Sequence, residues 1–413
     1  MKRDWALFAD IILLITIGLT TLYSTVVGEE NILFGGGVLN KQLIFVVIGL
    51  AIYFSINYLN YRIFQHYQVF GVLYVLTVIL LILLLIFGRE INNARRWIIL
   101  FGVQFQVSEI AKLVVILVTC GVMSMKDRIN SYKLAGISLA LTLFISLLVF
   151  LEPDAGTAIV ILGIWALTVF ASLPNQLLNL GMLIVAVLSG VGINLLRTQN
   201  IWAIILLAIS VIVGIIIFIR FEKLKWFVVG VFFGGILLGF TANYAWNNVL
   251  QDYQRQRVES FLNPEEDIQG SGFQVAQSKV AIGSGMIWGK GFGHGTQSKL
   301  NFLPEHETDF VFASFAEEFG LVGSLFVIAL YSFAIFRILS ISNNSSDFFG
   351  KILCIGLAIK LLVEVFINIG MNLGVIPATG VPLPLMSAGG SIFLVTMFAF
   401  GLVQNVYANR DEF

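Results

Sequence analysis

Residues 66–87, HYQVFGVLYVLTVILLILLLIF, form an apolar run without a single charged side chain. A helix of this length can cross the hydrocarbon core of a bilayer, which takes about 20 residues at about 1.5 Å per residue. The rest of the chain is similar in character, since 58% of its 413 residues are hydrophobic and only 12% are charged. A soluble domain carries about twice that share of charge. The surplus apolar side chains must therefore face lipid, which predicts a polytopic membrane protein.

Other apolar runs of similar length accompany this one along the whole chain. They fall at residues 7–25, 42–59, 109–125, 134–151, 156–173, 176–196, 201–219, 226–246, 310–335, 350–372 and 390–407. The pattern predicts an all-α fold of about 10–12 transmembrane helices in one integral membrane domain, residues 1–413. The net charge of zero gives no general attraction for nucleic acid.

Lysine and arginine are distributed unevenly between alternate loops. With the N-terminus inside, twelve of them lie in inner segments and five in the short outer loops. The inner set is Lys2, Arg3, Arg62, Lys126, Arg128, Lys133, Arg220, Lys223, Lys225, Arg337, Lys351 and Arg410; the outer set is Lys41, Arg89, Arg95, Arg96 and Arg197. The positive-inside rule then predicts that both termini are cytoplasmic.

One connection is much longer than the others. Residues 247–308 are polar and glycine-rich, and the orientation places them outside. The segment YQRQR at 253–257 predicts a short polar helix, and GSGMIWGKGFGHG at 283–295 predicts a series of tight turns. The connection also contains too many aromatic residues for a disordered segment, namely Phe261, Phe273, Trp288, Phe292 and Phe302. We predict a large ordered extracytoplasmic loop.

Charged residues within apolar runs are functional candidates, because each costs about 3 kcal/mol or more at the bilayer centre. Glu109 and Lys112 are three residues apart and so share one helix face. They are either a functional pair or an ion pair that anchors the helix end at the interface. Lys360 and Glu364 lie deeper in their run, where anchoring explains them less well.

The predicted outer loops contain groups that suit a phosphate beside a sugar or apolar face. Arg95, Arg96 and Trp97 offer two guanidinium groups and an indole, although such a cluster is also a common interface anchor. Asp154 precedes an apolar helix, for which N-capping is the favoured role. The proline-stiffened segment 377–384 leads through Ser387 to a glycine-rich helix start, where exposed amides could hold an anion.

Asp309 is the strongest catalytic candidate. It lies where the large loop re-enters the membrane, between the segment FLPEHET at 302–308 and an unbroken apolar run. Partial shielding from water raises the pKa of a carboxyl there, which suits a general base. The alternative is that Asp309 caps the next helix, a role that Thr308 could fill equally well.

Taken together and in order, these motifs strongly resemble the SEDS (shape, elongation, division, sporulation) family of bacterial membrane glycosyltransferases. The resemblance covers most of the chain and rests on NARRW at 93–97, QVSEIAK at 106–112, EPDAGT at 152–157, YQRQR at 253–257 and PATGVPLP at 377–384. The segment GKGFGHGTQS at 289–298 is similar to the elongation (RodA) type of the family rather than to the division (FtsW) type. Asn93, Val107, Glu152 and Ala388 depart from the family pattern.

The resemblance implies a peptidoglycan glycosyltransferase that polymerises lipid II through β-1,4 bonds and releases undecaprenyl diphosphate during cell elongation and rod-shape maintenance. Asp309 would be the catalytic base. Arg95, Arg96 and Lys112, alone or with a divalent cation such as Mg²⁺ or Mn²⁺, would offset the charge of the diphosphate. Further substrate-binding residues are predicted to be Trp97, Glu109, Asp154, Lys290 and Ser387.

The resemblance also implies a multi-pass location in the bacterial inner membrane. A class B penicillin-binding protein, a transpeptidase, and other elongation-complex proteins would be its partners. Because members of the family commonly have ten spans, the pair at 176–219 resembles an inserted helical hairpin. Two alternatives stay open at this point: a lipid II flippase, which the buried Lys360 and Glu364 would suit, and a non-catalytic scaffold of the elongation machinery.

Overall fold

The computed structural model describes residues 3–26, 37–91, 94–100, 103–196, 201–221, 225–262, 271–299 and 303–410. The helices within these ranges are α1 (Trp5–Val26), α2 (Val38–Ile56), α3 (Tyr67–Phe87), α4 (Val107–Met123), α5 (Ser131–Leu151), α6 (Ala155–Ser172), α7 (Gln176–Leu196), α8 (Ile201–Arg220), α9 (Lys225–Asn248), α10 (Asp252–Leu262), α11 (Ser271–Ser284), α12 (Thr296–Lys299), α13 (Val311–Asn343), α14 (Phe348–Asn372) and α15 (Gly390–Ala408). A 3-10 helix at Tyr61–Gln65 joins α2 to α3.

In the described ranges, eleven helices are long and apolar enough to cross a membrane. The helix at the remaining predicted span, α4, has 17 residues and is buried along nearly its whole length. The prediction of an all-α polytopic membrane protein with about 10–12 transmembrane helices is therefore confirmed. The short polar helix predicted near 253–257 is present as α10.

A small antiparallel sheet between α3 and α4 was not predicted. Its strands are β1 (Arg89–Ile91), β2 (Ala94–Leu100) and β3 (Val103–Gln106), in the order β1-β2-β3. Trp97 on β2 pairs with Gln106, the last residue before α4. Strands of three to seven residues are too short for alternation to stand out from a loop, so the sequence carried little signal. The sheet fixes Arg96 and Trp97 relative to the start of α4.

The chain divides into two compact units. The first comprises Met1–Ile129, Leu134–Val169 and Gln256–Phe413, and the second comprises Asn130–Lys133 and Phe170–Arg255. The core of the first unit includes Leu81 and Leu84 of α3, Val107 and Val115 of α4 and Ile161 of α6. Among the described helices that are long and apolar enough to cross a membrane, α15 is the most buried.

The second unit contains α7, α8 and α9. Its core is formed by Leu178, Met182, Val185, Ile217 and Val228. A Cβ added to Gly190 of α7 would lie only 3.0 Å from the carbonyl oxygen of Gly235 on α9, so small residues let these two backbones approach closely. The segment 176–219 lies wholly within this unit. That it is an inserted hairpin stays a prediction.

Helix α13 is interrupted at Gly320, where φ is 66° and ψ is −162°. A break within a membrane helix frees backbone groups that lipid cannot satisfy. Here the segment 286–291 supplies the missing partners. The bonds are Lys290 N to Glu317 O at 3.0 Å, Gly291 N to Glu318 O at 3.0 Å, Leu321 N to Met286 O at 2.9 Å and Val322 N to Ile287 O at 3.1 Å. The glycine-rich motif at 283–295 thus completes the broken helix.

We expect Gly320→Ala to destabilise the protein by about 2 kcal/mol or more, because alanine would be strained at the positive φ that the backbone adopts there. The added Cβ would also stand 2.6 Å from the carbonyl oxygen of Ile287. The measurement is the thermal unfolding midpoint of the purified protein in detergent. Gly163→Ala in α6 is the matched control, because no atom lies within 4 Å of its added Cβ. Equal midpoints for the two variants would contradict this account of the break.

Candidate active site

Asp309 lies in the turn before α13, and it does not cap that helix. The residue at the N-cap position is Phe310, without a side-chain capping bond, and the helix begins at Val311. Thr308 directs its hydroxyl to Glu305 Oε2 at 2.9 Å. The capping interpretation is therefore wrong for both residues. Instead, Oδ1 of Asn372 on α14 accepts a hydrogen bond from Ala313 N at 3.1 Å, which leaves the carboxyl group of Asp309 available for chemistry.

The backbone at Asp309 is held from two directions. The Nδ2 groups of Asn368 and Asn372 donate to its carbonyl oxygen at 2.9 and 3.1 Å. The Ser387 hydroxyl donates to the Thr308 carbonyl at 2.5 Å and accepts from Leu383 N at 2.8 Å. Both asparagines and Ser387 are buried. Such bonds fix the position of a catalytic group without using its side chain.

The carboxyl group of Asp309 lies close to a guanidinium group. A Cβ added to Gly380 would stand 3.4 Å from Asp309 Oδ2 and 3.7 Å from Arg257 Nη1, so both side chains reach this glycine. The pKa of Asp309 is raised to about 6, mainly by burial and also by the charge of Glu305, whereas Arg257 and Arg96 act in the opposite direction. A carboxylate with this pKa is ionised at neutral pH yet basic enough to accept a proton.

The turn between α5 and α6 fixes Arg96 near the carboxyl group of Asp309. Its Nη1 lies 3.7 Å from Asp154 Oδ1, and its Nη2 donates to the Pro153 carbonyl. Gln106 Nε2 donates to the other carboxylate oxygen of Asp154 at 3.1 Å. Asp154 also accepts from Thr157 N at 3.3 Å, as expected of the N-cap of α6. Asp154 therefore links the sheet to α6 and partly neutralises Arg96.

Glu152 contributes a neutral acid to the same turn. Its side chain is buried, and burial together with the charge of Asp154 raises its pKa to about 9, while Arg96 opposes the shift. The carboxyl is therefore protonated at neutral pH. A protonated carboxyl resembles the amide of the glutamine that is usual at this position in the SEDS pattern. The replacement of the usual glutamine by Glu152 therefore leaves the charge of this turn unchanged.

Glu109 and Lys112 belong to a buried ion network rather than to the interface. Lys112 Nζ lies 2.7 Å from Glu109 Oε1 and 2.7 Å from Glu364 Oε1, and Lys360 Nζ lies 2.7 Å from Glu364 Oε2. All four residues are at most 2% exposed. Two positive and two negative groups balance each other inside the protein. The largest charge effects on the pKa of Asp309 come instead from Glu305, Arg257, Arg96 and Asp154.

The remaining predicted residues lie in different places. Trp97 lines an apolar groove of about 470 Å³ together with Leu80, Leu83 and Phe87 of α3. Lys290 pairs with Glu317 at 2.6 Å, at the break in α13, rather than with Asp309. The side chain of Arg95 lies outside the described residues, as do Asn92, Asn93 and Phe302.

Three residues of this site were not assigned from the sequence, namely Arg257, Asn368 and Asn372. Arg257 is part of the quoted YQRQR segment, but nothing in that polar helix indicates which of its cations faces Asp309. The two asparagines had a usable signal, because they lie four residues apart in an apolar run and therefore share one helix face. Within the described residues, no three His, Cys, Asp or Glu side chains are grouped to hold a metal ion.

Comparison with known proteins gives consistent matches. A family model for cell cycle proteins, FTSW_RODA_SPOVE, matches residues 4–206 and 177–412. The peptidoglycan glycosyltransferase MrdB of Escherichia coli (strain K12) is 39% identical over 324 residues, which is 78% of this chain and 74% of that protein. The peptidoglycan glycosyltransferase RodA of Treponema pallidum (strain Nichols) is 29% identical over 429 residues, covering 98% of each chain.

Solved structures show the same fold. One, described as structural coordination of polymerization and crosslinking by a peptidoglycan synthase complex, matches with a TM-score of 0.71 and 26% identity over the full length of both chains. The crystal structure of the rod shape determining protein RodA of Thermus thermophilus matches with a TM-score of 0.61 and 24% identity, covering 100% of this chain and 98% of that one. The second likeness is one of fold.

We expect Lys112→Gln to destabilise the protein by about 3–5 kcal/mol, because Glu109 loses its ion-pair partner and Glu364 loses one of two. Adding Glu109→Gln should restore much of the loss, since Glu364 keeps its bond to Lys360. Unfolding midpoints of the two single variants and the double variant test this, with the exposed Lys351→Gln as control. A Lys112→Gln variant as stable as the parent would contradict the network.

Proposed function

The chain belongs to the FtsW/RodA/SpoVE family of cell cycle proteins, and we propose that it is a peptidoglycan glycosyltransferase in which Asp309 is the general base. The reaction joins lipid II to a growing glycan strand by a β-1,4 bond and releases undecaprenyl diphosphate. We place its role in cell elongation and the maintenance of rod shape, because the segment GKGFGHGTQS at 289–298 is similar to the elongation type of the family.

The observation that carries this proposal is the environment of Asp309. Its backbone is fixed by Asn368, Asn372 and Ser387, while its carboxyl group makes no capping bond. Its raised pKa and the neighbouring Arg257 suit a reaction in which a proton is accepted beside an anionic substrate. A structural carboxylate would instead be paired and neutralised, as Glu364 is.

The chemistry balances with one base and one leaving group. The carboxylate of Asp309 accepts the proton of the acceptor hydroxyl while that oxygen bonds to the anomeric carbon of the donor. The bond from this carbon to the diphosphate breaks, and the diphosphate leaves with the electron pair. A single displacement inverts the configuration at the sugar carbon, by analogy with inverting glycosidases. The apolar groove beside Trp97 suits the polyprenyl chain of such a substrate.

A transpeptidase is the proposed partner. The solved complex that this chain resembles coordinates polymerization with crosslinking. We propose that this chain works likewise with a class B penicillin-binding protein, together with other elongation-complex proteins. The activity assay is therefore run with the purified chain alone and with its cognate transpeptidase.

We expect Asp309→Asn to lower lipid II polymerisation by about 10²–10⁴-fold, because the amide cannot accept the proton. The measurement is glycan formation from fluorescent lipid II, resolved by gel. Binding of lipid II should persist, since the lost interaction belongs to the transition state. A flippase or a scaffold would form no glycan even as the parent chain. An Asp309→Asn variant with more than about a third of parental activity would rule out Asp309 as the base.

Two controls accompany this variant. Asp154→Asn should be milder, because it keeps the capping bond to Thr157 and loses only its charge and the acceptor for Gln106. The acid limb of the parental pH profile should lie near 6, the pKa of Asp309. Because that pKa is raised above its unfolded value, ionisation costs stability as pH rises through 6. Asp309→Asn should therefore unfold no earlier than the parent at neutral pH.

We also propose a location and an orientation: the bacterial inner membrane, with both termini in the cytoplasm and residues 247–308 outside. The excess of lysine and arginine in alternate loops supports this orientation. The orientation puts Asp309 at the outer face, where a lipid-linked precursor of the cell wall is polymerised.

A His294→Cys variant should react with a membrane-impermeant maleimide in intact cells, because His294 is exposed within the proposed outer segment. The native thiols Cys120 and Cys354 are buried and should stay silent. Lys351→Cys, exposed in a proposed inner segment, should react only after permeabilisation. The opposite labelling pattern would invert the topology.

A further inference from the structure

Two of the cations first assigned to the leaving diphosphate, Lys112 and Arg96, are largely neutralised by the protein itself. Lys112 contacts two buried carboxylates, Glu109 and Glu364. Arg96 lies beside Asp154. A diphosphate brings further negative charge next to Asp309, and it needs cations whose charge is still available.

A cavity of about 90 Å³ close to Asp309 offers such a cation in Lys279, which lines it together with Arg257. It is formed by α10, α11 and the turn that follows α14. Arg257, Ser260 and Lys279 supply its polar side chains, and no acidic side chain is among its described lining residues. A cavity of this size accommodates one phosphate or carboxylate group but not a sugar ring.

Lys279 lies at this cavity and has no carboxylate partner among the described residues. Its side chain is exposed, and within the described ranges it forms no ion pair. Its Nζ lies 2.5 Å from where a Cβ on Gly374 would stand, at a backbone position with φ of 65°. The lysine therefore lies directly across a glycine, where any larger residue would displace it.

Arg257 connects the cavity to Asp309. It lines the cavity, and its Nη1 approaches the same point above Gly380 as Asp309 Oδ2 does. The guanidinium group has several donors and can serve a carboxylate and a phosphate together. An anion in the cavity is thus separated from the proposed base by one guanidinium group.

We propose that this cavity, with Arg257 and Lys279 as its cations, is a binding subsite for one phosphate group of the diphosphate of the polyprenyl-linked substrate. The proposal rests on the proposed function, because the choice of a diphosphate follows from the reaction at Asp309. The two cations hold the negative charge that the diphosphate already carries in the bound substrate, and Lys279 therefore acts on binding and not on the proton transfer.

The test is calorimetric titration of the full-length chain in detergent with inorganic pyrophosphate, and with acetate as the carboxylate probe. Lys279→Gln should weaken pyrophosphate binding by about fivefold or more, and Lys279→Arg should stay within about twofold of the parent. Lys351→Gln, another exposed lysine on the same unit, should bind as the parent does. Acetate bound as tightly as pyrophosphate, with the same dependence on Lys279, would overturn the assignment to phosphate.

Polymerisation kinetics separate this proposal from the proposed function. Lys279→Gln should raise KM for lipid II by about threefold or more and leave kcat within about twofold. If pyrophosphate binding depends on Lys279 in a chain that forms no glycan, the subsite stands and the polymerase assignment fails. If the chain forms glycan and Lys279→Gln matches the parent in both binding and KM, the subsite is overturned and the polymerase assignment stands.

Discussion

Hydrocarbon offers no hydrogen bonds, so each polar group at membrane depth must find its partner inside the protein. The break in α13 shows how this constraint shapes the fold. At Gly320 the helix loses its own bonding pattern, and the segment 286–291 crosses the gap and bonds to the freed groups on both sides. The glycine-rich sequence of that segment follows from the need to approach a helix backbone closely, so the loop and the broken helix form one structural element.

The same constraint distinguishes two kinds of charge in this protein. Lys112, Glu109, Glu364 and Lys360 balance one another and are sealed from solvent, and such a closed network specifies helix packing more than it adds stability. Asp309 differs from these four residues. Its backbone carbonyl accepts hydrogen bonds from asparagines of α14, whereas its carboxyl group does not belong to a balanced ion network. An incompletely compensated carboxylate costs stability, and that cost supplies the raised pKa that a general base needs.

The cations of the site differ in how many carboxylate partners neutralise them. Lys112 has two carboxylate partners, Arg96 has Asp154, and Lys279 has no carboxylate partner in the described ranges. A substrate that brings negative charge is best held where the protein has not already neutralised its own cations, since a paired cation must first give up a partner. We therefore expect the main phosphate contact at Lys279 of α11 rather than in the QVSEIAK motif.

The sequence by itself determined the membrane class, the positions of the long helices and the family. The first two depend on local composition, because about 20 consecutive apolar residues have few alternatives to a spanning helix. Asp309 could also be selected, since a carboxylate at a loop-to-membrane boundary is visible in one dimension. Only the tertiary structure decided that Asp309 does not cap α13, that Lys112 bridges α4 to α14 and that Arg257 reaches Asp309. These outcomes depend on contacts between residues that lie from about fifty to about two hundred and fifty positions apart in the sequence. No local pattern encodes which of several polar groups on one helix meets which group on another, because that is set by the packing of the whole bundle.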